Sequence, residues 1–174
     1  MSSLHELLDE YTTALAYTDD LWRDLTVEQV HWRPVPDSSA IGWHLGHQAA
    51  VAHFMVRNLT AAEPPVDAGL DRLMDSATEE RQRGDLPGLD VLSDYRTTIE
   101  ARVRATVQRV ADGDVGAPEQ LSRIAENMMI AIVNHEYQHS KWVGEVRDEQ
   151  FGLALPEVPT SDRLTVVEGY VMVS

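Results

Sequence analysis

Three observations in the sequence predict an all-α protein. Four long stretches carry apolar residues three and four positions apart, helix start and stop signals bracket them, and strand-like alternation appears only after residue 153. The expected architecture is a four-helix bundle with one long crossover.

The first helix is expected from about Ser3 to Leu25. Ser3 and Glu6 form a capping box, and Leu4, Leu7, Leu8, Tyr11, Leu15, Thr18, Leu21, Trp22 and Leu25 recur at helical spacing. Thr26 and Gln29 repeat the capping pattern, but Pro34 and Pro36 stop a helix there, which predicts a short turn and an extended link. The second helix is expected to start at Ser38 or Ser39 and to end at Pro64-Pro65. Ile41, Leu45, Ala52, Met55 and Leu59 lie on one stripe, and His44, His47, Val51 and Phe54 on the next. Arg57 is its only charge before Glu63, as befits a central helix.

From Pro64 to Gly88 there is one weak helical pattern, around Leu70, Leu73 and Met74. A connection this long fits a crossover along a bundle, leaving the second and third helices parallel. The third helix carries Leu92, Tyr95, Ile99, Val103, Val107 and Val110 and stops at Gly113. Pro118 suits the first turn of the fourth helix. Its stripe of Leu121, Ile124, Met128, Ile132, His135, His139, Trp142 and Val146 runs toward Gly152. Residues 1–152 are thus read as the bundle, and residues 153–174 as an extended tail that is not a separate domain. Within the tail, LTVVEGYVMV reads as a hairpin or a strand. This apolar tail, with no sheet to join, is expected to cover the bundle or to pair with a second chain as a homodimer.

The 174 residues include 29 Asp and Glu against 14 Lys and Arg, a formal charge of -15 that disfavours nucleic acid and anionic membrane as partners. The absence of cysteine excludes disulfides, thiolate ligands and a cysteine nucleophile, so any thiol chemistry requires an external thiol. No run approaches 18 apolar residues and the N-terminus lacks a signal pattern, so a soluble, cytoplasmic protein is expected. Lys141 is the only lysine, an arginine bias typical of a GC-rich source.

Of the seven histidines, His135 and His139 are the informative pair. Four residues turn a helix by about 400°, so both imidazoles leave one face about 6 Å apart, the bite of two nitrogen ligands on one metal. Two buried imidazoles paired with other polar groups satisfy the same spacing. A third ligand could come from His44 or His47 in the run WHLGH, provided the second and fourth helices are neighbours. Three neutral imidazoles with open positions would make a catalytic type of site, for which Zn, Ni, Fe and Co are all candidates. His5, His31 and His53 read as structural or exposed, whereas Trp32, Trp43, Tyr137 and Trp142 are candidates to line an apolar pocket.

The run DSSAIGWHLGHQAAVAHF, with HWRP upstream and NHEYQHSKWVGEVRDEQFG near the end of the last long helix, resembles the DinB-like four-helix-bundle superfamily. Its members include bacillithiol S-transferases, mycothiol-dependent maleylpyruvate isomerases and the N-terminal domain of ergothioneine-synthesising sulfoxide synthases. The resemblance covers roughly residues 3–152. It implies an up-down-down-up topology and a divalent metal, Zn or Ni foremost, held by His47, His135 and His139, with His44 as the alternative site-lining residue. It also implies transfer of a low-molecular-weight thiol to a small electrophile, or its use as a cofactor. The arginine-rich composition favours mycothiol as that thiol. The tail from Leu153 lies outside the shared pattern.

HEYQH also satisfies H-E-x-x-H, the zinc-peptidase helix motif, in which Glu136 would be the general base. The extended form of that motif needs Gly at Trp142 and His at Glu145. A glutamate third ligand could only be Glu157 or Glu168, both in the tail, and no upstream strand is expected to align a peptide. Glu136, about 100° round from His135, is therefore expected to face a neighbouring helix or the rim and is read as a solvated or ion-paired carboxylate. A non-catalytic, metal-binding or purely structural bundle is the remaining alternative.

Overall fold

The computed structural model describes residues 3–174. Among them are α1 (Leu4–Trp22), α2 (Val27–Val30), α3 (Ile41–Val56), α4 (Ala68–Leu73), α5 (Leu89–Ala111) and α6 (Pro118–Phe151), with a 3-10 turn at Glu80–Gln82. Strands β1 (Leu164–Val167) and β2 (Tyr170–Val173) are the only strands among the described residues, so the fold is all-α with one terminal hairpin. No helix among the described residues is long and apolar enough to cross a membrane. The chain divides into two compact units, one formed by the first 24 residues with Arg104–Ser174 and the other by Leu25–Val103.

In the first unit α1 packs along α6. The Ser3–Glu6 capping box closes in both directions, Glu6 N–H donating to Ser3 Oγ at 3.2 Å and Ser3 N–H to Glu6 Oε2 at 2.9 Å. The expected α1 stripe from Leu4 to Trp22 is buried throughout, although the helix ends at Trp22 instead of Leu25. Helix α6 starts with Pro118 and ends at Gly152, whose φ of 64° is the left-handed conformation that glycine takes without a Cβ penalty.

The buried face of α6 differs from the expected one. Ile132 and His139 of the expected stripe are buried, but Ile124 and Trp142 are exposed, and the rest of the buried face is Ala125, Met129, Val133, Glu136, Tyr137, Ser140, Val143, Gly144 and Arg147. Small and polar side chains occupy much of that face, so a scan for large apolar residues finds the neighbouring stripe.

The tail does form a sheet, but of its own residues. β1 and β2 pair antiparallel with Val167 opposite Tyr170, and the two-residue turn places Glu168 and Gly169 at φ 52° and 82°. β2 lies against α6, where the Asn134 amide clamps Val173, Nδ2–H donating to its carbonyl at 3.1 Å and Oδ1 accepting from its N–H at 2.7 Å. The segment before the hairpin returns along α1, with Ser161 donating to Glu10 and Arg163 paired with Glu6.

In the second unit the Thr26–Gln29 capping box does nucleate one helical turn, α2, before the prolines intervene. α3 begins at Ile41, later than Ser38 or Ser39, because those hydroxyls serve the loop: Ser38 Oγ donates to Val35 O and Ser39 Oγ to Glu80. It ends at Val56, so Leu59 lies beyond the helix. The expected weak helical pattern becomes α4, capped by Asp67 Oδ1 accepting from Gly69 and Leu70 N–H. On α5 the stripe from Leu92 to Val110 is buried as expected, and Gly113 follows at φ 74°.

Arg147 is the polar anchor of the first unit. It is buried and donates to Leu21 O at 3.1 Å, Ala154 O at 2.8 Å and both oxygens of Asp24. These bonds hold the Asp24 carboxyl below its ordinary value, so the stabilisation is present above about pH 4 and is lost as pH falls through the folded-state pKa. Arg147→Met should lower the unfolding free energy in urea by about 1.5–3 kcal/mol at neutral pH and flatten the acid limb of the stability curve.

Candidate metal centre

The second unit presents His47. Its ring is 6% exposed, stacks on Trp43 with centroids 4.2 Å apart and planes 15° apart, and its Nδ1–H donates to Met74 O at 2.7 Å. That bond fixes the tautomer and makes Nε2 the lone-pair nitrogen, the arrangement usual for a metal-ligating imidazole. Burial, foremost, and the Arg83 charge lower the His47 pKa against the opposing Met74 and Asp75 contributions, so the ring is neutral at pH 7.

The connection between α3 and α5 holds this geometry. Trp43 Nε1–H donates to Leu73 O at 3.0 Å, and the Arg83 guanidinium lies 4.3 Å above the Trp43 ring. Glu80 gathers Arg33, Arg83 and Ser39. Met74 is fully buried against Gly46, where a Cβ would lie well inside van der Waals contact with the Met74 sulfur. The glycine of WHLGH is therefore required by a close approach.

The first unit presents His135 and His139 on consecutive turns of α6, with ring centroids 4.4 Å apart and tilted by 56°. His139 is 5% exposed, His135 is half-buried, and Trp142 meets the His139 ring edge-on at 4.8 Å. Among the described residues, His47, His135 and His139 form a group that could hold a metal ion, each offering one ring nitrogen. His44 is outside that group; it is half-buried and meets Trp43 edge-on at 5.5 Å.

Glu136 is not solvated. It is 2% exposed and accepts from Thr18 Oγ1 at 2.7 Å, while Thr18 shares a 2.7 Å bond with Ser140. Its carboxylate is thus turned toward α1, and the upstream strand a zinc peptidase needs is absent among the described residues. Of the expected pocket aromatics, Trp43 and Tyr137 are buried, Trp32 is half-buried and Trp142 is exposed. Phe54, expected on an apolar stripe, is 66% exposed.

Sequence reasoning missed His53. It is 2% exposed, with Nε2 lacking a hydrogen-bond partner and Glu63 Oε2 3.9 Å away. No spacing signal marks it, because an isolated histidine on a helix reads as structural.

An all-α fold with a histidine set suited to a metal ion defines the class of protein. A family model described as the DinB superfamily matches residues 10–143, and the chain belongs to that superfamily. A search of curated proteins finds no match.

The packing at Gly46 yields a direct test. Gly46→Ala should displace Met74 and lower stability by about 1–3 kcal/mol in urea unfolding, with a matching loss of metal affinity as the His47 anchor loosens.

Proposed function

We propose that the protein is a metal-dependent enzyme that activates a low-molecular-weight thiol, mycothiol or a similar one, and transfers it to an electrophilic small molecule or uses it as a cofactor. His47, His135 and His139 are the proposed ligands of one divalent transition metal, Zn or Ni foremost, with Fe and Co as alternatives. The carrying observation is that the described residues contain a three-histidine group that could hold a metal, in which Met74 fixes the His47 tautomer.

The all-nitrogen donor set fits a borderline metal, and three ligands on a four-coordinate ion leave a position for substrate. Such an ion supplies a lowered pKa to a bound thiol, making thiolate available at pH 7. The thiol must come from outside, since the chain has no cysteine. Within the chain, His47 stays neutral through burial, and Trp43 and Met74 hold its ring in one orientation. Glu136 has a structural part, because its carboxylate is engaged toward α1.

Metal analysis of untagged protein tests the ligand set. His139→Ala and His47→Ala should each abolish stoichiometric metal with helical circular dichroism largely retained, and His44→Ala should keep it. Metal retained in full by His139→Ala would sink the assignment. Turnover of a chlorinated aromatic or an unsaturated diacid with mycothiol, bacillithiol or glutathione tests the reaction. Glu136→Gln should cost that turnover only a modest factor, whereas loss by several orders of magnitude would restore the general-base role of the peptidase motif.

A further inference from the structure

A cavity of about 330 Å3 lies in the first unit, between α6 and the terminal hairpin. Ala131, His135 and Gln138 line it from the helix, and Tyr170, Val171 and Met172 from β2. None of these six residues is buried, so the walls are open to a ligand. The volume falls at the low end of small-molecule pockets, about 300–1,000 Å3.

The hairpin wall is fixed to the helix. Asn134 clamps Val173 through both of its amide atoms, and the Lys141 ammonium lies 4.9 Å from the centre of the Tyr170 ring. At the turn, a Cβ on Gly169 would come within 3.3 Å of Lys141 Cε, so the turn also rests on that lysine. A wall held in this way costs little ordering when a ligand enters. The hairpin lies beyond residues 10–143, the segment matched by the family model, so it adds to the matched bundle and is not part of it.

The lining specifies the ligand's chemistry. It contains no lysine, arginine, aspartate or glutamate. Tyr170 offers an aromatic ring, Val171 and Met172 offer apolar surface, and a thioether packs well at the edge of a ring. Gln138 is exposed on the same helix face, and its amide can donate to a nitro or carbonyl oxygen. Lys141 is already engaged by Glu145 and by the Tyr170 ring. A carboxylate seated here would therefore lose water without gaining a cationic side chain, and the formal charge of -15 repels it at longer range.

We propose that this cavity is the acceptor subsite, seating a neutral aromatic electrophile beside His135 with its ring against Tyr170 and Met172 and a polar substituent on the Gln138 amide. Of the two electrophile types, the chlorinated aromatic is the substrate class and the unsaturated diacid is not. The inference rests on the thiol-transfer reading, because His135 is one of the ligands proposed there. In that transfer a C–S bond replaces the C–Cl bond, chloride leaves with its electron pair, and the thiol proton goes to water.

Isothermal titration of the full, untagged chain is the experiment, with nitrobenzene as a neutral probe that does not react with thiols, benzoate as its anionic isostere, and fumarate as the diacid. Nitrobenzene should bind at least about tenfold more tightly than either anion, a difference of about 1.4 kcal/mol. Met172→Ala and Gln138→Ala should each weaken nitrobenzene at least about threefold, through lost apolar contact and a lost donor respectively. Both positions are exposed, so helical circular dichroism and metal content should match the parent protein. Absence of nitrobenzene binding at millimolar concentration, equal or tighter binding of benzoate or fumarate, or undiminished nitrobenzene affinity in either variant would overturn the proposal. Turnover separates it from the reading on which it rests. Thiol transfer to fumarate in preference to a chlorodinitrobenzene would overturn the acceptor assignment and leave thiol transfer standing, whereas parent protein that holds no metal would overturn the thiol-transfer reading and the acceptor role with it.

Discussion

The hydrogen bond from His47 Nδ1–H to the Met74 carbonyl is the constraint on which the second unit is organised. A 2.7 Å bond from an imidazole to a main-chain carbonyl requires the connection to run close over α3, and Gly46 makes that approach possible. The rest of the connection follows from holding Met74 there. α4 ends at Leu73 immediately before it, Leu73 O receives the Trp43 indole N–H, and the Arg83 guanidinium lies over the Trp43 ring. Loosening any of these layers frees the ring whose direction decides whether Nε2 is available as a ligand. A segment that reads as an irregular crossover is therefore the outer support of a candidate ligand, and orienting partners of this kind carry much of the affinity of a metal site.

A second arrangement fixes the rotation of α6 about its own axis. Glu136 and Ser140 each follow a histidine of the pair by one residue, so they form their own i, i+4 pair about 100° round the helix. Thr18 bonds both of them at 2.7 Å, and that face is thereby pinned to α1. With rotation set, α1 packing defines the direction in which His135 and His139 leave the helix. Such polar bonds between buried groups specify geometry more sharply than apolar contact does, because a small rotation would strand the carboxylate.

How much was legible in the sequence follows from this chemistry. The stripes of α1 and α5 were readable because nearly all their buried positions are large and apolar, and both capping boxes were readable because their two side chains lie three residues apart. The α6 stripe was read one face away, since Ala125, Ser140, Gly144 and Glu136 carry little or no hydrophobic signal although they are buried. Ser38 and Ser39 looked like helix caps, but a cap is defined by which amide it meets, and both meet loop partners instead. The His135–His139 pair was visible from spacing alone. The choice of His47 over His44 was not, because sequence separation across helices holds no distance information; it came with the resemblance. His53 and Asp71 were not singled out for the same reason, the cavity they line being formed by residues up to 29 positions apart along the chain.

The H-E-x-x-H pattern shows why a motif needs a direction as well as a spacing. In a helix the middle glutamate and the flanking histidines point about 100° apart, so the motif becomes hydrolytic only where the carboxylate faces a water on the metal. Here the Thr18 hydroxyl takes that carboxylate toward α1, and its 2% exposure leaves it without the solvent contact that a proton-transferring base requires. A buried carboxylate that accepts from a hydroxyl lowers the cost of its own desolvation by that bond, which makes it a packing element between helices. The same three letters thus serve two separate ends in this helix: the histidines offer nitrogen ligands on one face, and the glutamate locks the adjacent face in register with α1.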